Sequence, residues 1–504
     1  MSALNPLLTL SATALAERIR AREVTSAEVV DAHIARIEAV NGVLNAVVAE
    51  RFDRARDEAR VADARTATAP AETLPPLHGV PCTIKESFAL TGMPWTAGLC
   101  ARRGLRARED AVTVRRLRAA GAIPLGVTNT SELCMWMESN NRVYGRTRNP
   151  YDARRIVGGS SGGEGAIIGA GGSPFGLGAD IGGSIRMPAF FNGVFGHKPT
   201  PGLVPNDGQF PLTDDSGLGL LATGPLARRA EDLPLLLEVL STPVDEAPWV
   251  SPAAGGRAAP RVDGASARPP AGAGPYHRAP AALDRLRVIT VKGDGLTPPS
   301  LPIRRAQRRA AEHLERAGAT VTAASFPAMR HGFEIWAATI ESEQSTSYAE
   351  LLSAGGEFSA PRQVARWFVG RSPHTLPSLA LAVLEPLFAD STARSQRMYA
   401  LGRALRTELI EALRDDGVML FPPHPWVAPH HNVPLLWPVA WVYTALFNAL
   451  ELPVTQVPLG LDRRGLPLGV QVVAAPGEDR LSIAVAMELE RALGGWVPPS
   501  NGRR

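Results

Sequence analysis

Apolar residues in the first 65 positions recur at helical spacing. Leu15, Ile19 and Val24 follow Ser11, whose hydroxyl suits a helix N-cap. Val29, Val30, Ile34, Ile37 and Val40 follow Thr25-Ser26-Ala27-Glu28, with charges between them. The Thr25…Glu28 spacing predicts a capping box. His33 falls inside this pattern and reads as a packed or surface histidine. Residues 66–76 are rich in Ala, Thr and Pro and read as a loop. Residues 77–85 then form a turn feeding a buried strand that ends on Lys85. A helix over 110–120 and a strand over 121–127 follow. The helix containing Asp232 to Leu240, the strand 286–291, the helix 304–317 and the strand 320–322 continue the alternation. Such alternation predicts an α/β protein with a sheet core covered by helices.

Two regions depart from this pattern. Residues 242–282 are rich in Pro, Ala, Gly and Arg and read as a flexible insertion within one domain. Residues 333–388 are helical and greasy. Their two apolar segments, Trp367-Phe368-Val369 and Leu376 to Leu387, are expected to break at Pro373, Pro377 and Pro386.

Composition narrows the class. At 504 residues and 45% hydrophobic, the chain can bury a large core. A net charge of +4 from scattered basic residues gives no nucleic-acid surface. Three cysteines, Cys82, Cys100 and Cys134, have no metal spacing and point to a reducing compartment. No charged n-region with an apolar core and cleavage site opens the chain, and no run approaches ~20 apolar residues. The chain therefore reads as soluble and cytoplasmic, with no transmembrane segment.

The candidate chemistry lies between Gly158 and Arg186. Gly158-Gly159-Ser160-Ser161-Gly162-Gly163 and Asp180-Ile181-Gly182-Gly183-Ser184-Ile185-Arg186 are two serine-bearing glycine turns separated by a short apolar segment. Glycine lets main-chain N–H groups crowd around a bound atom, and such groups beside a serine can form an oxyanion hole. The stretch lacks the lysine of a phosphate-binding P-loop and does not match Gly-x-Gly-x-x-Gly. Lys85, at the end of an apolar strand, is costly unless paired or neutral, and a neutral amine is a base. Cys134 has no histidine partner nearby and is not read as a nucleophile. His197 reads as structural, and His424, His430 and His431 read as loop packing, because they lack carboxylate support at metal spacing.

These residues resemble the signature of the amidase signature family, and Lys85 matches its lysine. Leu452 to Gln456 and Gly465 to Gln471 look like its C-terminal core, so the resemblance covers nearly the whole chain. Ser131 to Trp136 and Met187 to Gly193 are most similar to the fatty-acid amide hydrolases, the second vertebrate type above all. The resemblance implies one domain over 1–504 with a mixed, twisted central β-sheet covered by helices on both faces. Its parts would be N-terminal helices (1–65), the signature core (77–240), the insertion (242–282), an apolar helical cap (333–388) and the C-terminal part of the core (420–497). It implies Ser184 as nucleophile, Ser160 as a bridging serine in an unusual peptide geometry, and Lys85 as base and then acid. The N–H groups of Ile181, Gly182, Gly183 and Ser184 would bind the oxyanion. Cys134 would lie at a substrate-contacting backbone position, with Ser161 and Arg186 as supports. The implied partner is a small-molecule amide with an apolar acyl or aryl group, and neither cofactor nor metal is required. Where the family usually has aspartate after the lysine, Glu86 stands here. Three points stay open: whether 364–388 touches a membrane or only lines the pocket, whether the protein forms a homodimer, and whether it is instead an amidotransferase subunit supplying ammonia to a tRNA-linked substrate or an inactive amide-binding relative.

Overall fold

The computed structural model describes residues 4–211, 219–247, 283–343, 346–356, 358–388 and 392–500. The expected helix starts are in place. The Ser11 hydroxyl accepts the Ala14 N–H at 2.9 Å. Thr25 and Glu28 exchange side-chain and backbone hydrogen bonds at 3.1 and 2.8 Å, closing the capping box.

The first 65 residues are not helical throughout. The helix Ser26–Leu44 stops at Asn45, which is left-handed at φ 51°. The Asn41 carboxamide oxygen then takes the N–H groups of Ala46 and Val47. This turns the chain into a short strand, Val47–Glu50, antiparallel to Ile123–Thr128. The strand's four residues are too few for their period to stand out between two helices.

Among the described residues, 11 strands form one mixed sheet. Across the sheet they run Val47–Glu50, Ile123–Thr128, Pro81–Lys85, Phe175–Asp180, Ala222–Ala227, Phe195–Lys198, Val454–Leu461, Pro467–Val473, Gly417–Phe421, Arg287–Thr290 and Thr320–Ala323. Parallel pairing holds for the second to fourth strands and again for the last three. Helices cover both faces, as successive residues of Gly417–Phe421 show: Val418 and Leu420 belong to one buried cluster, Met419 and Phe421 to another. Side chains alternate along a strand, so two buried sets require two covering layers.

The topology positions the chemistry. Pro81–Lys85 lies between Ile123–Thr128 and Phe175–Asp180, with all three parallel. Their carboxyl ends therefore meet at one edge and deliver Lys85, Asn129 and the Ile181 loop together. Crevices beyond such ends are where α/β sheets bind ligands.

Most of the insertion, residues 248–282, lies outside the described residues. The greasy region forms helices Gly332–Glu343, Tyr348–Ser353, Ala360–Phe368 and Leu376–Phe388. Contrary to expectation, Pro377 and Pro386 do not break the last of these. Pro377 falls in the first turn, where a backbone N–H has no intrahelical partner to lose. No helix among the described residues is long and apolar enough to cross a membrane.

Candidate active site

Lys85 is wholly buried, and its Nζ donates to Ser160 Oγ at 2.7 Å. Burial pushes the lysine below its ordinary range, against the opposing pull of the Cys134 thiol, Asp180 and Glu164. Ser160 follows a cis peptide bond from Gly159. Its turn is held by Ser139, whose hydroxyl meets the carbonyls of Gly158 and Ser160, each at 3.1 Å, and accepts the Gly162 N–H at 3.0 Å.

The two glycine turns are fastened through Ser161. Its N–H donates to the Ser184 carbonyl at 3.2 Å, and its hydroxyl reaches the Ala179 carbonyl at 3.3 Å. This sets the Ser184 turn over the Ser160 turn. Ser184, 8% exposed as a residue against 1% for Ser160, is the more accessible of the two. Its hydroxyl has no hydrogen-bond partner among the described residues.

The Ile181–Ser184 loop is held from outside. Asp180 accepts the N–H groups of Gly183 at 2.6 Å and Ile185 at 3.1 Å. Arg186 closes on it with Nε at 3.0 Å and Nη2 at 2.9 Å, and also donates to Thr444 O, Gln471 Oε1 and Asn448 Oδ1. Burial alone would raise the Asp180 carboxyl. The Arg186 guanidinium and its hydrogen bonds more than reverse this, leaving the group below the usual carboxylate range.

Trp336 Nε1 donates to the Ile181 carbonyl at 2.9 Å and Thr444 Oγ1 to the Gly182 carbonyl at 2.9 Å. In a trans peptide the N–H points opposite to its carbonyl. Trp336 therefore aims the Gly182 N–H away from itself. The Gly183 N–H, expected in the oxyanion set, is directed to Asp180 instead. The N–H groups of Ile181, Gly182 and Ser184 have no partner among the described residues and remain as donors. Gly183 sits at φ +116°, and a Cβ there would lie 1.9 Å from Thr444 Oγ1, so no other residue fits.

Trp336 and Trp441 meet edge to face at 4.6 Å, and a Cβ on Gly182 would touch the Trp441 ring at 3.0 Å. These rings make an apolar wall beside the loop. Cys134 is buried and left-handed at φ 61°, with its Sγ 3.4 Å from Thr130 Oγ1. Glu86 is buried. It accepts from Thr96 N at 2.7 Å, Thr96 Oγ1 at 2.8 Å, Tyr144 OH at 2.7 Å and Ala97 N at 2.7 Å. The longer carboxylate thus bolts a neighbouring turn to the lysine strand.

His197 bonds Thr455 and Asp479. His424, His430 and His431 are engaged with Trp426 O, Arg154 O and Glu138 respectively. Sequence reasoning missed Ser139, Trp336, Trp441, Thr444 and Asn448. Contacts made from other elements leave no local pattern in the chain.

A protein-family model, Amidase, matches residues 28–482. Human fatty-acid amide hydrolase 2 is 44% identical, over 98% of this chain and 91% of that protein. A glutamyl-tRNA(Gln) amidotransferase subunit from an Anaeromyxobacter strain is 34% identical, over 95% of this chain and 96% of that protein. Among solved structures, 6-aminohexanoate cyclic dimer hydrolase superposes with a TM-score of 0.77 at 27% identity, covering 98% of this chain and 99% of that one.

Proposed function

The chain belongs to the amidase signature family, in which its relatives include amide-cleaving hydrolases, and on that premise we propose that it hydrolyses a carboxamide bearing an apolar acyl or aryl group through Lys85, Ser160 and Ser184. The observation that carries the proposal is the buried 2.7 Å hydrogen bond from Lys85 to Ser160. A serine hydroxyl needs a partner to take its proton, and a lysine can be that partner only when its amine is neutral. Burial of Lys85 favours the neutral form.

In this reading Ser184 attacks the carbonyl carbon as its proton passes to Ser160, while the Ser160 proton passes to Lys85. The N–H groups of Ile181, Gly182 and Ser184 receive the developing oxyanion. The Lys85 ammonium then returns a proton through Ser160 to the departing amine, leaving an acyl ester on Ser184. Water hydrolyses that ester by the same relay in reverse. Trp336 and Trp441 favour an apolar group next to the carbonyl, and Cys134 contributes to the same lining.

The helices Ala360–Phe368 and Leu376–Phe388 carry Phe368 at 76% exposed and Val369 at 67% just beyond it, with Val383 and Leu384 near 40%. This apolar edge supports peripheral contact with a lipid surface that delivers substrate. The three cysteines are all free, in keeping with a cytoplasmic setting.

The test is a turnover panel of short, long and aryl acyl amides with the purified chain. Release of free amine without any added subunit, fastest for apolar acyl groups, is expected. Hydrolysis that begins only when a partner subunit is supplied would replace this reading with the amidotransferase one.

A further inference from the structure

Glu164 lies in the first turn of the helix Gly162–Gly169 and has no exposed surface. Its Oε2 accepts from Thr83 Oγ1 at 2.6 Å and its Oε1 from Thr128 Oγ1 at 2.8 Å. Thr83 stands two residues before Lys85 on the same strand, and Thr128 is the cross-strand partner of Lys85. Gly176, the partner of Thr83 on the other side, makes room: a Cβ there would come 1.8 Å from Glu164 Oε2. Three neighbouring strands are thus shaped around one carboxyl group beside the lysine.

The charges near Lys85 are unequal. Cys134 and Ser160 face it from two loops, and two carboxyl groups act on it, Asp180 and Glu164. Asp180 is neutralised by a buried Arg186. Glu164 is bonded by two neutral hydroxyls, and among the described residues it has no guanidinium partner. The other titratable group facing it is the buried Cys82 thiol.

We propose that Glu164 is a positioning residue for Lys85, setting the pH at which the lysine amine is free to take the serine proton, by placing a carboxyl group without its own counter-cation behind the Thr83–Thr128 hydroxyl pair. This rests on the reading of Lys85 as the base. Ammonium with carboxylate and amine with carboxylic acid hold the same number of protons and the same net charge. The pair can therefore exchange these forms without bringing an ion in from solvent. Burial raises the Glu164 carboxyl to about 8, while the two threonine hydroxyls and Lys85 pull the other way. A carboxyl that ionises near neutrality holds Lys85 as ammonium more strongly than a neutral group would.

The test is the pH profile of kcat/KM on an amide that the parent enzyme turns over. Glu164→Gln keeps the shape but cannot ionise; its oxygen still accepts from one threonine hydroxyl, and its Nε2 donates to the oxygen of the other. Its acid limb is expected to move down by about one pH unit, roughly tenfold in relative activity on the limb. Thr128→Val removes one donor to the carboxylate and should move the limb the same way by less; it decides the matter if Glu164→Gln fails to fold. Limbs that superimpose on the parent's, or that move up, would overturn the proposal. Lys85→Ala separates the two readings. A limb lost in Lys85→Ala but unmoved in the Glu164 and Thr128 variants removes only the role of Glu164. A limb that persists in Lys85→Ala removes Lys85 as base and this proposal with it.

Discussion

Lys85 Nζ and Ser160 Oγ stand 2.7 Å apart across 75 residues of chain, with 0% and 1% of each residue exposed. Both groups are buried, so the hydrogen bond between them is shielded from bulk solvent.

In the proposed mechanism this bond makes the lysine's protonation state the controlling variable. Because burial lowers the Lys85 pKa, the amine becomes neutral at a lower pH than a free lysine would. Activity should therefore rise as pH rises through that lowered value and fall below it. Lys85→Ala should reduce amide turnover by roughly 10³-fold or more, and ester turnover less, because an ester's leaving group needs little protonation. Measured kcat/KM for a matched amide and ester pair checks this, and near-parental amide turnover would exclude the base role.

In the proposed mechanism Ser184 is the nucleophile, and it is the more exposed of the two serines. Ser184→Ala should lower turnover by roughly 10⁴-fold or more and abolish labelling by a fluorophosphonate probe. Mass spectrometry of the labelled parent identifies the modified residue. A label on any other serine would overturn the assignment.

Asp180 and Arg186 form a buried pair that holds the Ser184 loop. Asp180→Asn should destabilise the fold by about 3–5 kcal/mol, because it leaves the Arg186 charge buried without its partner. The folded Asp180 value is depressed, so its contribution is complete above the ordinary carboxylate value of ~3.9. That contribution is lost as pH falls through the lowered value. Urea denaturation of parent and variant between neutral and strongly acidic pH measures both effects. A variant as stable as the parent at pH 7 would show that the pair is dispensable.

Trp336 fixes the Ile181–Gly182 peptide through its indole N–H. Trp336→Phe keeps an aromatic wall but frees that carbonyl. It should lower kcat by roughly tenfold or more with KM changed less, since the donors lose aim rather than substrate contact. A variant altered only in KM would mean that Trp336 serves substrate packing alone.

Much of this was legible in the chain. The helix starts at Ser11 and Thr25 follow from side chains three residues away, and the strand ending at Lys85 follows from a short apolar run. The strand Val47–Glu50 was not legible, because its pairing partner lies about 80 residues further on and its own four residues carry no clear period. The Gly183 N–H was expected to face substrate. Its turn toward Asp180 depends on how the carboxylate is held by Arg186 and Asn448, the latter arriving from a distant helix.

By itself the sequence determined the family and the sheet-and-helix class, and it singled out Lys85, Ser160 and Ser184 as candidates, because a glycine turn and a lysine at a strand end are local features written in consecutive residues. Only the tertiary structure decided which N–H groups stay unpaired, which rings wall the loop, and that Glu164 lies behind the lysine. Each of these depends on distances between segments far apart in the chain, and those distances exist only once three parallel strands end at the same edge.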